Sequence, residues 1–521
     1  MKKNFKYLLS LPLLALGMVA CSEEGPVNGP QGPQNQIQDP VYMTFNVETP
    51  STRSMTQEDG QSEDGTLNAT AAESKVSELM VVICSADGQS VIDKQLFPSG
   101  ENTLTGDATS WKATAVYEAG TMKSLFKNKD VKIYMYCNPI AAMKGADAAT
   151  LRSGKTAVTD NIWTDNKFVM TNVDEYSYKF PGDFMAYKSA ANALNLGTVA
   201  VQRMAARFDY KAAKADNVYT VVDGDDKSNI TVTLTHMALI NNSKEAFNLK
   251  QTTTQADGYS SPVILGVEKV DNWVVDTDAA FKAAYTGAEA TDGNFTEAFM
   301  ANPSTWKWIA LKTNVAAYEF QSYGMENTIP AIAKQMNGIS AGVVFRGQLK
   351  AGESATEAQK AALQGEETVY IFGNVLYGTW AHVAAYAEAH PTEAVAVAYN
   401  KVNKPELVKA EVANAGFTGV TPASKGVFNV LYYYWNRHND NKIAPNAEGT
   451  SMGIMEFGVV RNNVYQLCVN GISRFGHPEN PNDPDPDPKD PTTPDEVVYK
   501  EYMTVSVNVL PWVKRVNNIE F

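Results

Sequence analysis

Several short constellations in this 521-residue chain carry residue types that could do chemistry. Gly338-Ile339-Ser340-Ala341-Gly342 fits G-x-S-x-G, the spacing that lifts a nucleophilic serine onto a sharp strand-to-helix turn. Here a helix-like TIPAIAKQMN precedes the motif and a strand-like VVFRGQL follows, so a hydrolase built on Ser340 would lack its elbow. Ser153-Gly154-Lys155-Thr156 ends like a phosphate loop, but Ala149 stands where the first glycine is needed, and the segment reads as a turn. His382 and His390 lie eight apart around Glu388, whereas ligands on one helix face are three or four apart; both read as solvated surface histidines. Tyr432, Tyr433, Tyr434 and Trp435 could stack on a sugar, but alternate rings of a strand face opposite ways, which assigns half of them to a core. The acids of DPDPDPKD at 483–490 could attract calcium, yet a proline between each pair holds them apart and makes the run an extended spacer. No catalytic residue, cofactor or metal site is expected, and the chain reads as a non-enzyme.

Composition narrows the partners. Lys and Arg total 44 against 58 Asp and Glu, a net charge of −14, which argues against nucleic acid and anionic membrane surfaces. With 44% apolar and only 20% charged residues the chain as a whole is not disordered, and its length allows two to four domains. Frequent Tyr, Phe, Val and Thr between turn residues favour strands. Cys84, Cys137 and Cys468 sit in apolar runs and match no zinc spacing, so they read as buried, inert thiols.

The first 20 residues read as a secretory signal: Lys2, Lys3 and Lys6 precede an apolar stretch ending in small residues. Met18-Val19-Ala20-Cys21 resembles a bacterial lipobox, in which the Cys21 thiol is acylated, typically with palmitate, and becomes the new N-terminus. Ser22-Glu23-Glu24 looks like the tag that sends some such lipoproteins to the outer face of the outer membrane.

The elements around these residues are mainly strands, with short helical insertions at 278–288, 354–365 and 381–390, an α+β pattern dominated by β. A polar tether in 21–53 holds one strand, in which Val41, Met43, Phe45 and Val47 share a face. Glu48 to Ser74 is a polar loop open to proteases, with Arg53 its only basic residue. Two β-sandwich domains in series follow, 54–211 and 212–477, with the seam near Ala212. A Pro/Asp-rich linker at 478–496 leads to a last strand in 497–521.

That last strand copies the first. YMTFNV at 42–47 aligns with YMTVSV at 502–507: Tyr42 with Tyr502, Met43 with Met503, Phe45 with Val505, Val47 with Val507. Two strands with one pattern could fill one slot. If the loop is cut and 41–47 leaves, residues 502–512 of another copy could enter the groove, offering Tyr502, Met503, Val505, Val507, Val509, Leu510 and Trp512. Burial of four such apolar side chains gives about 6–12 kcal/mol before the cost of ordering the strand.

The lipobox, the Arg-containing loop after a short strand, RMAARF at 203–208, YWNRHNDN at 434–441, VVRNNVYQLCVNGI at 459–472, the Pro/Asp linker and the terminal VNVLPW together resemble the fimbrillins of type V pili, most of all the shaft subunit of short, or minor, fimbriae. The resemblance implies tandem transthyretin-like, Greek-key sandwiches with exchange strands at both ends. It also implies a lipid-anchored precursor at the outer membrane and cleavage between Arg53 and Ser54 by an arginine-specific protease. Polymerisation with copies of itself, alongside anchor and tip subunits, would then build a surface fimbrium serving adhesion to host or bacterial receptors and biofilm formation. The alternatives are a monomeric surface lipoprotein that binds a glycan or host protein, and an anchor or tip subunit.

Overall fold

The computed structural model describes residues 39–49, 67–480 apart from 101–103, 108–109, 161, 164–166, 215, 224–225, 268–271, 314–316, 331–334, 403–406 and 439–453, and 502–513. Cys21, Arg53, Ser54 and the 483–490 run lie outside these residues.

Pro40–Glu48, the head strand, belongs to a sheet whose hydrogen-bonded path runs Val91–Pro98, Glu78–Ser85, Asp130–Cys137, Met170–Asn172, Leu194–Arg203, Pro40–Glu48, Ser110–Glu118, Leu104–Gly106. The path folds over at Leu194–Arg203, whose first part pairs with the head strand while Val201–Arg203 pair with Met170–Asn172. Two layers therefore face each other. Val41, Met43, Phe45, Val47 and Ala115 from one layer meet Leu79, Val81, Ile83, Ile133 and Met135 from the other in a single core. The LMVVIC run of Glu78–Ser85 does not alternate because both of its faces are covered: Met80, Val82 and Cys84 enter a second cluster with Tyr134, Tyr136 and Leu151.

The second sandwich is built the same way. Its path runs Leu67–Asn68, Met503–Val513, Asn463–Ile472, Val218–Asp223, Asp226–Ile240, Gly342–Ala351, Asn429–Trp435, His477–Pro478. Ala206–Ala212 lies parallel to Asn463–Ile472 and antiparallel to Glu319–Gly324. Phe208, Tyr210, Leu467, Val469 and Met503 pack against Val232, Leu234, Val343, Phe345, Val430 and Tyr432. The chain changes sheets at Met204-Ala205, upstream of Ala212, which ends the first strand of the second sandwich. The molecule is thus mainly β, two sandwiches with short helices such as Ala279–Ala284, Glu357–Ala362 and Trp380–Ala389 inserted in the second.

A sandwich core of this kind tolerates charge only in compensated pairs. Arg461 and Glu326 are both buried, with Arg461 Nε 3.0 Å from each carboxylate oxygen and Nη2 2.6 Å from Oε2. Removing one member strands the other without water. Glu326→Ala should lower unfolding stability by about 3–5 kcal/mol, read from urea denaturation, whereas exposed Glu357→Ala, which breaks the surface pair with Lys360, should cost less than about 1 kcal/mol.

Candidate strand-exchange sites

The head strand sits in the interior of its sheet. Along one edge it runs antiparallel to Ser110–Glu118 in an unbroken register from Pro40 opposite Glu118 to Glu48 opposite Ser110. Along the other it runs parallel to Leu194–Arg203, with an irregularity between Thr44 and Asn46. Asn46 fills that irregularity, its amide donating to Asn195 Oδ1 at 2.8 Å and to the Gly197 carbonyl at 3.1 Å. Gly197 holds φ at +80°, and a Cβ there would lie 2.0 Å from the Tyr176 hydroxyl, so no other residue fits. Val41, Met43, Phe45 and Val47 are fully buried, and the Phe45 ring centroid lies 5.7 Å from that of Phe97. Thr44 on the opposite face is also buried, which the alternation did not foresee.

Met503–Val513, the tail strand, has a different kind of seat. It pairs antiparallel with Asn463–Ile472 from Met503 opposite Ile472 to Pro511 opposite Asn463, with a bulge between Val469 and Gly471. Among the described residues its outer edge meets only Leu67–Asn68, at Trp512 and Val513. Met503 and Val507 are buried in the second core, Tyr502 and Val505 are packed half-buried against it, and Thr504 is exposed. Val509 and Leu510 continue the strand opposite Tyr465 and Val464, and Trp512 lies beside Leu67. The two strands keep the same phase: Met43 and Met503, and Val47 and Val507, all point into a core. In one uncut chain they occupy separate seats, head in the first sandwich and tail in the second.

Between these seats lies a polar junction. After the 50–66 segment the chain re-enters at Leu67–Asn68, and Thr70 caps the short helix Ala71–Ser74 through a capping box with Glu73. The Glu73 carboxylate accepts from the Thr70 amide at 2.6 Å, from Arg207 Nη1 at 3.1 and 3.2 Å and from the Tyr323 hydroxyl at 2.8 Å. Arg207 Nε in turn reaches Asp209 at 2.7 Å. Arg203 Nε donates to the Glu73 carbonyl at 2.9 Å and Nη2 to Ser74 Oγ at 3.3 Å, while its backbone and Nη1 bond Asn462 Oδ1. Burial lowers Arg203 only to about 10, so it stays cationic at neutral pH. Asn462, at φ +59°, donates its amide to the Ala205 carbonyl and holds the other side of the junction. RMAARF and VVRNN thus do one job: they fasten both sandwiches to the segment that follows residues 50–66. The sequence signal for it was the Thr70-x-x-Glu73 capping box ahead of two arginines set among apolar residues.

The other candidates fall in quiet places. Ser340 is buried with its Oγ 2.5 Å from Gln335 Oε1, just before the Gly342–Ala351 strand. Thr156 bonds Asn248 at 2.6 Å across a short strand pair. His382 closes the N-terminal cap of Trp380–Ala389, and His390 ends that helix, stacked on Tyr386. Among the described residues no group of three His, Cys, Asp or Glu could hold a metal. The aromatic run is covered on both faces rather than half open: Tyr432 and Tyr434 enter the second core, and Tyr433 and Trp435 a third cluster beyond it. No sugar platform is left there.

Two measurements test this geometry. Glu73→Ala removes the buried carboxylate that Arg207 Nη1 and the Tyr323 hydroxyl bond and should cost about 3–5 kcal/mol in a denaturant melt, with Tyr323→Phe costing far less. Burial pushes the Cys84 thiol up to about 11 and Cys137 to about 12, so neither should be alkylated by iodoacetamide at pH 8 in the native protein, and both should react in guanidinium.

Residues 427–518 match the family described as major fimbrial subunit protein type IV, fimbrillin, C-terminal. That stretch holds the Asn429–Trp435 and Asn463–Ile472 strands and the tail strand. Among solved structures the chain is similar to a cell adhesion protein candidate from Parabacteroides distasonis ATCC 8503, at 10% identity over 92% of this chain and 99% of that one, with a TM-score of 0.44. It is also similar to a fimbrilin from Porphyromonas gingivalis W83, at 12% identity over 91% and 98% with a TM-score of 0.39. A tip fimbrial protein of the same species aligns at 9% identity over 91% and 100%, with a TM-score of 0.35. The fimbrillin match thus falls on the segment that carries the tail strand.

Proposed function

We propose that this protein is the structural shaft subunit of a bacterial surface fimbrium, assembled by exchange of its terminal strands. The precursor is exported, acylated at Cys21 and held at the outer membrane. An arginine-specific protease cuts between Arg53 and Ser54, and the head strand leaves with the lipid. Its departure opens a groove between Ser110–Glu118 and Leu194–Arg203, which the tail strand of the next copy enters. The partners are then further copies of the same chain, anchor and tip subunits, the protease, and host or bacterial receptors met during adhesion and biofilm growth. Its chemistry is association, without catalysis.

One observation carries this reading. The strand before residues 50–66 is interior, with Val41, Met43, Phe45 and Val47 buried, whereas the strand of matching pattern has a long ladder along one edge and, among the described residues, only Leu67–Asn68 on the other, so the second can be given up without splitting the rest of its sheet. The seating of the tail on its own chain favours a second reading, a monomeric surface lipoprotein that keeps both strands and binds a glycan or host protein. A tip subunit would likewise have no need to donate a tail.

The readings part on three experiments. N-terminal sequencing of the surface-exposed protein should begin at Ser54; an intact 41–47 strand supports the monomer. Arg53→Ala should accumulate full-length, lipid-anchored precursor, and normal fibres from that variant remove the maturation step. Deletion of 502–521 should leave no ladder of detergent-resistant oligomers on a gel, and a ladder from the truncated protein rules out tail donation.

A further inference from the structure

Lys282 has no exposed side-chain surface and lies on the short helix Ala279–Ala284 inserted in the second sandwich. Its ammonium contacts Asp276 Oδ2 and lies 2.9 Å from Asn327 Oδ1 and 3.1 Å from the Thr328 carbonyl. Asp276 follows the strand Trp273–Val275, and its Oδ2 also accepts the Thr328 amide at 2.6 Å. Asn327 opens the strand Asn327–Thr328, and its amide nitrogen is aimed at two carbonyls, Asn241 at 2.7 Å and Ile339 at 3.2 Å. The Phe295 ring covers the ammonium, its centroid 5.5 Å away. An amine, a carboxamide and a carboxyl group, all buried, therefore meet at one point.

We propose that Lys282 and Asn327 become joined by an intramolecular isopeptide bond after folding, with Asp276 as the proton carrier. Burial holds the Asp276 carboxyl above the usual carboxylate range, and in the proposed reaction that carboxylate takes a proton from the ammonium to free the Nζ lone pair. Nζ attacks Cγ of Asn327, the carbon bonded to the oxygen it already touches, and a C–N bond forms. The two carbonyls that hold the Asn327 nitrogen can only accept, so its extra proton comes from Asp276. The Cγ–Nδ2 bond breaks and ammonia leaves. The second Nζ proton passes to Asp276, which ends neutral. The atoms balance with no oxidant and no co-reactant, and exclusion of water removes hydrolysis as a competitor. The bond would tie the helix to a strand 45 residues further along, so that pulling on the chain could not unthread the segment between them.

The test is a digest of the denatured full-length protein read by mass spectrometry. A branched peptide containing Lys282 and Asn327, lighter by one ammonia, about 17 Da, than the two linear peptides together, is the expected result. Trypsin should fail to cut after Lys282 in that species. Recovery of only linear peptides after days at neutral pH overturns the proposal and leaves an ordinary buried ion pair. Asp276→Asn should return the linear peptides from a folded protein, and a branched peptide in that variant overturns the role of Asp276. Should Asp276→Asn fail to fold, the wild-type digest still decides.

Discussion

The pairing of the head strand on both of its edges is the constraint on which the molecule depends. Pro40–Glu48 joins Leu194–Arg203 to Ser110–Glu118, and nothing else in the described structure bridges them. Its backbone closes two ladders, and its four apolar side chains close one side of the first core. Such a strand cannot fray like an edge. It is either present in full or leaves behind a groove with two rows of unpaired backbone groups and an open core, a state that demands a replacement strand.

The junction around Glu73 complements that constraint. The segment beyond the 50–66 stretch is fastened by Thr70, Glu73, Arg203, Arg207 and Asn462, so a cut upstream would free the head strand without loosening the point where the two sandwiches meet. Five polar residues from three places in the chain achieve this, with Asp209 adding a second carboxylate against Arg207. The short helix Ala71–Ser74 could not hold by propensity alone at four residues; the capping box and the arginines fix it.

Much of the fold was legible from local pattern. The period of two in 41–47 identified a strand with Val41, Met43, Phe45 and Val47 inward, and the same pattern at 502–507 identified its counterpart. Ala-rich stretches at 278–288, 354–365 and 381–390 contain helices. The run of Tyr432 to Trp435 was legible only by half: alternation says that rings point two ways, not that a further cluster covers the second face. Thr44 is buried as well, on the face that alternation makes polar. The capping box marks Glu73 as a helix cap, but its meeting with Arg207 and Tyr323 was not legible, because it spans 134 and 250 positions of sequence.

What the sequence by itself determined is therefore whatever depends on near neighbours: which segments extend, which faces are apolar, and that its two ends carry one pattern; the expected open loop over Glu48 to Ser74 instead ends in the helix Ala71–Ser74, with Glu73 and Ser74 buried. Tertiary structure alone decided that the head strand is interior while the tail strand has one long partner, that the chain changes sheets at Met204-Ala205, and which buried charges oppose each other. The physical reason is range. Side-chain alternation is set by the chain's own geometry over a few residues, whereas edge pairing and charge compensation are set by whatever distant segment comes to lie alongside, and only the folded chain brings that segment there.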